Sequence, residues 1–161
     1  MKTHRALGVI FSAALLAACG GQPETAASAP QAARSEITIT LTDSACIAEG
    51  LGDVLPQRFA AAVVNTTSSR AAINLQRLND GHAYGELDAW IQVRQRAIAS
   101  GGDVDASPPM TTIIVRTLVA AGGRDTLDGE LIPGTYGLVC RRDSVSGPAG
   151  AIYLRGPFRV D

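Results

Sequence analysis

The sequence predicts a mainly β fold, an antiparallel β-sandwich into which one α-helix is inserted. Two observations favour strands. Residues 36–42 alternate strictly between charged or polar and apolar side chains, and residues 111–119 form the most β-branched run in the chain. A third observation favours the helix, because apolar residues within 86–99 recur with spacings of three, four and seven. Several strands around a single helix indicate two packed sheets.

Six segments of the chain are predicted strands. The first, at 36–42, places Ile37, Ile39 and Leu41 on one face and threonines on the other, as a half-buried strand does. Segments 58–65 and 71–78 are the next two strands, and the polar turn at 66–69 separates them. Segments 111–119, 134–140 and 151–160 complete the prediction, with a loop at 144–150 before the last strand.

The helix is predicted at residues 86–99, between the third and fourth strands. Its apolar stripe consists of Leu87, Trp90, Ile91 and Ile98. Glu86 and Asp88 lie in its first turn, where negative charge suits the helix dipole, and Gly101-Gly102 ends it. Because Trp90 lies on the apolar stripe, we interpret it as a packing residue rather than a platform for a ligand.

The N-terminus predicts export and a lipid anchor. Lys2 and Arg5 precede an apolar run of about a dozen residues, too short to span a membrane as a helix. The run ends in Leu16-Ala17-Ala18-Cys19, which closely resembles the lipobox of bacterial lipoproteins. We therefore predict a signal peptide at 1–18 and lipidation of Cys19. The alternative is an ordinary secreted protein with a chance cysteine.

The lipid on Cys19 would make the membrane and the lipoprotein-processing enzymes partners of the chain. Two or three acyl chains, palmitate among them, hold a protein firmly, whereas one chain binds only marginally. The protein would face the periplasm or the cell exterior, and Gly20 after the cysteine resembles the pattern sorted to the outer membrane. Residues 19–35 are rich in Ala, Ser, Pro and Gln and predict a flexible tether before a domain at 36–161.

Charge argues against nucleic-acid binding, and the cysteine content favours a disulfide in the domain. The chain has 14 basic and 15 acidic side chains, and removal of Lys2 and Arg5 makes the exported form more acidic. Because no basic patch remains, nucleic acid is not an expected partner. The chain has three cysteines, of which lipidation uses Cys19. Cys46 and Cys140 are then an even pair in an exported chain, which favours a disulfide over a metal or redox pair.

Four segments carry a resemblance to the cupredoxin-like domains of exported bacterial proteins, which stand alone or are fused to periplasmic iron-uptake components. These segments are 41–46, 64–71, which looks like the V-x-N-x-S turn of the family, 75–82 with L-x-R-L-x-D-G, and 131–140 with L-x-P-G-x-Y-x-L-x-C. The last of them is the most specific. The resemblance implies a Greek-key sandwich over most of the domain.

The resemblance does not extend to the copper ligands. A type 1 copper site needs two histidines, a cysteine and usually a weak axial methionine. His4 leaves with the signal peptide, so His82 is the single histidine of the exported chain. The first histidine of the family would fall near Ala71 or Ala72, and residues 141–150, where the second would follow, contain neither His nor Met. We therefore expect no type 1 copper and no other cofactor.

The sequence contains no motif that predicts catalysis. Ser144 and Ser146 have only the distant His82 as a candidate base, and no G-x-S-x-G elbow occurs. Asp103 and Asp105 are too few for calcium and are expected in a solvated loop. We expect a non-enzymatic binding or scaffolding role with an envelope protein or a small ligand. The alternatives are a periplasmic module that handles copper or iron through Cys46, Cys140, His82 and Met110, or a hydrolase that uses His82.

Overall fold

The computed structural model of the chain describes residues 37–102, 107–144 and 147–161, which belong to one compact unit. These residues form eight strands and one helix. The elements are β1 (Thr38–Leu41), β2 (Cys46–Glu49), β3 (Arg58–Asn65), β4 (Ala71–Leu78), α1 (Tyr84–Ala99), β5 (Thr111–Val119), β6 (Arg124–Glu130), β7 (Gly134–Ser144) and β8 (Gly147–Val160). None of the helical segments described is long and apolar enough to cross a membrane.

The strands form two four-stranded sheets. The first sheet has the order β2-β1-β3-β6, and the second has the order β5-β4-β7-β8. The chain passes between the sheets after β3, after β5 and after β6, which gives the Greek-key path. The predicted fold class, a mainly β sandwich with one inserted helix, is confirmed. The expectation of a wholly antiparallel sandwich is wrong in one place, because β1 pairs with β3 in parallel.

Three of the predicted strands, β3, β4 and β5, have the predicted bounds. Two strands were not predicted, since β2 has only four residues and the single large apolar residue of β6 is Leu127. The predicted loop at 144–150 is wrong in part, because β7 runs to Ser144 and β8 begins at Gly147. These two strands form a longer hairpin than the apolar pattern indicated. Backbone pairing of Asp143 with Ala149 and of Ser144 with Gly147 extends the hairpin into the glycine-rich segment. Helix α1 begins at Tyr84, two residues before its predicted start.

Two apolar clusters hold the domain together. The larger cluster fills the space between the sheets, and its members include Ile39, Leu41, Phe59, Ile73, Leu75, Leu127, Tyr136 and Leu138. The smaller cluster joins α1 to the outer face of the second sheet and contains Leu78, Leu87, Ile91, Val139 and Ile152. Gly137 permits this close approach, because a Cβ at this position would lie 2.8 Å from Cδ2 of Leu87.

The turn between β3 and β4 is organised by Asn65. Asn65 is buried, and its Nδ2 donates to the carbonyl oxygens of Ser69 at 2.8 Å and Ala120 at 2.9 Å. Its Oδ1 accepts hydrogen bonds from the backbone and hydroxyl groups of Thr67. One amide therefore ties the predicted polar turn to the end of β5.

Candidate functional site

The two domain cysteines form the predicted disulfide. Cys46 and Cys140 are bonded, with Cα atoms 6.2 Å apart and a sequence separation of 94 residues. Cys46 begins β2 in the first sheet, and Cys140 lies within β7 in the second, so the bond crosses the core between the sheets. Both residues are buried. In the oxidised protein neither sulfur is a thiolate that could bind a metal.

The end of the sandwich where the resemblance would place copper ligands carries alanines and ion-paired side chains instead. Ala71 pairs with Arg142 and Ala72 pairs with Arg141 across β4 and β7. The Nε atom of Arg70 lies 2.9 Å from a carboxylate oxygen of Asp143. The guanidinium of Arg142 bonds to the carboxylate of Asp43 in the same way. The side chains at these described positions are alanines and ion-paired arginines, whereas the ligands of a type 1 copper ion are His, Cys and usually Met.

His82 lies far from this end. It occupies the turn after β4, where its backbone N–H donates to the carbonyl of Asn79. Its side chain is 44% exposed, and its Nδ1 is 2.6 Å from Oε2 of Glu86 in the first turn of α1. Cys140 pairs with Ile73, five residues before the end of β4, which is about 17 Å of strand. Cys46, Cys140 and His82 therefore do not lie together in one chain.

Met110 lies near the same end of β4 as His82, and its carbonyl oxygen accepts a hydrogen bond from Asn79. Its side chain packs against the smaller apolar cluster. Within the described residues, no group of three or more His, Cys, Asp or Glu side chains is placed to hold a metal ion. Cys19, Asp103, Asp105 and Ser146 lie outside the described residues, as do the predicted signal peptide, the tether and the side chain of Ser144.

A cavity of about 230 Å³ lies on the outer face of the second sheet, between α1 and β5. Strand β4 supplies its floor, because alternation turns Ile73 and Leu75 into the core and Ala72, Asn74 and Gln76 to the other side. The register of the neighbouring strands adds two cations to this face. Arg116 of β5 pairs with Asn74, whereas Arg141 of β7 pairs with Ala72. We define Asn74, Gln76, Trp90, Arg116 and Arg141 as the outer-face site.

The two amides of the floor differ in their hydrogen bonding. Gln76 is buried, and its Oε1 accepts a hydrogen bond of 2.7 Å from the hydroxyl of Thr111. Asn74 is 8% exposed, but its Oδ1 has no hydrogen-bond partner among the described residues. A buried acceptor without a donor costs about 1–3 kcal/mol of stability. The fold therefore retains an unfavourable polar group at the floor of the cavity.

Trp90 has two roles. It packs against the smaller apolar cluster, as the sequence predicted, and it also lines the cavity, which the sequence did not indicate. The Cζ atom of Arg94 lies 4.7 Å from the centre of its ring, which is within cation–π distance. Gln95, one residue further along α1, donates a hydrogen bond of 2.9 Å to the carbonyl of Ile152 and ties the helix to β8. The indole is thus held over the cavity by a fixed helix.

The apolar wall of the cavity comes from Pro108, Ile113, Val139 and Ile152. Two other hollows, of about 460 and 440 Å³, lie beside Pro157 of β8 and beside Gly129 of β6. Their polar linings are exposed side chains such as Asp53, Arg159 and Asp128. The outer-face site differs from both, because buried amides, two arginines and an aromatic ring line the same cavity.

Sequence reasoning missed the outer-face site. One signal was present, because Asn74 and Gln76 alternate with Ile73 and Leu75 in a run that otherwise reads as a strand. That pattern indicates polar groups on one face but does not indicate what covers them. Arg116 and Arg141 come together only because β5 and β7 both pair with β4.

No protein-family model and no curated protein matches the chain. Among solved structures, the chain is similar to Na-dithionite-reduced auracyanin from the photosynthetic bacterium Roseiflexus castenholzii. The two share 18% sequence identity with a TM-score of 0.40, and the match covers 79% of this chain and 97% of auracyanin.

Proposed function

We propose that this chain is a lipid-anchored cell-envelope protein that binds a ligand or partner without catalysing a reaction and without type 1 copper. The outer-face site carries the proposal, because it is a walled cavity with converging polar groups on a rigid sheet. Sites of this composition are the usual places where proteins bind small molecules. The opposite face of the same strands is closed by apolar packing and the disulfide.

The lack of a catalytic role is supported by the surroundings of His82. This histidine is on the surface, in the turn after β4 and beside Glu86, and it is not among the described residues that line the cavity of the outer-face site. A general base must lie within hydrogen-bond reach of the group it deprotonates. Binding is therefore the role that the outer-face site favours.

The anchor is proposed from Cys19, and it would place the domain at a membrane surface facing the periplasm or the cell exterior. Replacement Cys19→Ala is expected to abolish incorporation of labelled palmitate and to move the protein to the soluble fraction. The double variant Cys46→Ala/Cys140→Ala is the matched control, since it removes two cysteines and should keep the label. Label that persists in Cys19→Ala would overturn the anchor.

Sorting between the two membranes gives a second test of the proposed location. If Gly20 directs the protein to the outer membrane, Gly20→Asp should increase the share that fractionates with the inner membrane. An unchanged distribution would contradict sorting through this position.

To test the proposal that the protein holds no type 1 copper, the purified, oxidised protein is titrated with copper and, separately, with a thiol reagent. We expect no strong blue absorption and no free thiol from Cys46 or Cys140. A blue copper spectrum would overturn the proposal. Free thiols in protein taken from the periplasm would instead favour the alternative of metal handling through these cysteines and His82.

A further inference from the structure

We propose that the outer-face site binds a small organic carboxylate that also carries a hydrogen-bond donor and a short apolar body. This inference rests on the proposed binding role and specifies the class of ligand. Three features carry it: the arginines at the cavity, the buried carbonyl oxygen of Asn74, and the size and apolar character of the wall.

The arginines select for an anion. Arg116 is exposed at the cavity, and no carboxylate of the described residues lies within 4.0 Å of its guanidinium. Arg141 lies on the other side of β4 and two residues along it, which puts the two backbones about 12 Å apart at these positions. Its Nη2 is 3.6 Å from the carboxylate of Asp143. Because the carboxylate of Asp143 partly offsets the positive charge of Arg141, Arg116 is the main cation available to a ligand. A guanidinium binds a carboxylate through two parallel hydrogen bonds.

Asn74 selects for a donor on the same ligand. Its Oδ1 lacks a donor within the described part of the chain, whereas the neighbouring Gln76 already accepts from Thr111. A carboxylate only accepts hydrogen bonds, so the group that binds Arg116 does not complement Asn74. An N–H or O–H group elsewhere on the ligand can donate a hydrogen bond to Oδ1 of Asn74, because a buried acceptor needs a donor. The site therefore favours a molecule with both groups over a simple anion.

The wall limits the rest of the ligand. The indole of Trp90 and the side chains of Ile113, Val139 and Ile152 offer apolar contact. The volume of about 230 Å³ is below the roughly 300–1,000 Å³ typical of drug-sized sites. An acylated amino acid or a compact hydroxy acid has the required size and groups.

Three probes separate these features. N-acetyl-L-leucine carries a carboxylate, an N–H donor and an apolar body. N-acetyl-L-leucine amide lacks the charge, and isocaproate lacks the donor. Trp90 is the single tryptophan of the chain, so its fluorescence reports on the cavity directly. The measurement uses the protein as bacterial cells export it, purified with its disulfide intact.

We expect N-acetyl-L-leucine to bind and the amide to bind at least about tenfold more weakly, since a charge-assisted hydrogen bond is lost. Arg116→Gln should weaken binding of N-acetyl-L-leucine by a similar factor. Arg124→Gln is the matched control, because Arg124 is an exposed arginine on β6 in the other sheet. Asn74→Leu should remove the preference for N-acetyl-L-leucine over isocaproate.

Equal affinity for the acid and its amide would overturn the carboxylate assignment, as would unchanged binding in Arg116→Gln. A preference for the acyl amino acid that survives Asn74→Leu would overturn the role of the donor. If none of the probes changes Trp90 fluorescence, the ligand class is wrong. The proposed function fails by different observations, namely blue copper or retained lipidation without Cys19.

Discussion

The two faces of strand β4 differ in how completely they are packed. Ile73 and Leu75 point into the space between the sheets, where both are fully buried among apolar side chains and the disulfide. Asn74 and Gln76 point to the other face and are almost as buried, but under a helix and a cavity. The inner face is thus built for stability, whereas the outer face retains an acceptor without a donor in the described structure. Such an imperfection is typical of a site that completes its hydrogen bonds with a ligand.

The largest expected contrast comes from opposite changes at neighbouring positions of β4. Leu75→Asn should destabilise the fold by about 4 kcal/mol or more, because it leaves a cavity and a buried amide without partners. Asn74→Leu should leave stability within about 1 kcal/mol of the wild type or increase it, since it removes a buried acceptor. Urea unfolding followed by circular dichroism measures both. A large loss in Asn74→Leu would mean that the outer face is as tightly specified as the inner one.

The sequence predicted much of the inner face, because its signals are local. A β-branched run located β5, and two apolar segments on either side of a polar turn located β3 and β4. The count of cysteines predicted the pairing of Cys46 with Cys140. The outer face depends on tertiary structure instead. The stripe of α1 showed that the helix packs, but no local pattern showed that it covers β7 and β8 beside Asn74 rather than another surface. β6 was missed because Leu127 is its single apolar anchor, so its pairing with β3 decides its conformation.

Removal of the disulfide should affect the inner face of the second sheet and leave the outer face unchanged. Cys46→Ala/Cys140→Ala should lower the free energy of unfolding by about 3 kcal/mol, because the unfolded chain loses a long closed loop. The native fluorescence spectrum of Trp90 should not change, since the indole lies on the other side of the second sheet. Urea midpoints and emission spectra are measured on the same samples. A shifted emission maximum in the absence of urea would show that the faces are coupled through β7.

Tyrosine ionisation should show the smallest difference between the faces. Tyr84 packs at the start of α1 on the outer face. Burial and, to a smaller extent, the charge of Asp88 outweigh the opposing charge of Arg155 and raise the pKa of Tyr84 to about 12. Burial also raises the pKa of Tyr136 in the inner core, although hydrogen bonding to Ile132 lowers it. In both cases the fold favours the neutral phenol. The stability that depends on Tyr84 is therefore present below pH 10 and is lost as the pH rises towards 12.

Tyr84→Phe and Tyr136→Phe should each reduce this alkaline loss of stability, measured as the urea midpoint against pH. At neutral pH their effects should differ. The hydroxyl of Tyr136 donates to the carbonyl of Ile132 at 2.7 Å and accepts from its N–H at 3.1 Å, so its removal should cost about 1 kcal/mol. Tyr84→Phe should leave the neutral midpoint unchanged, because no described residue bonds to its hydroxyl. A full alkaline loss in Tyr84→Phe would mean that water reaches the start of α1, and the outer face would then be looser than its packing indicates.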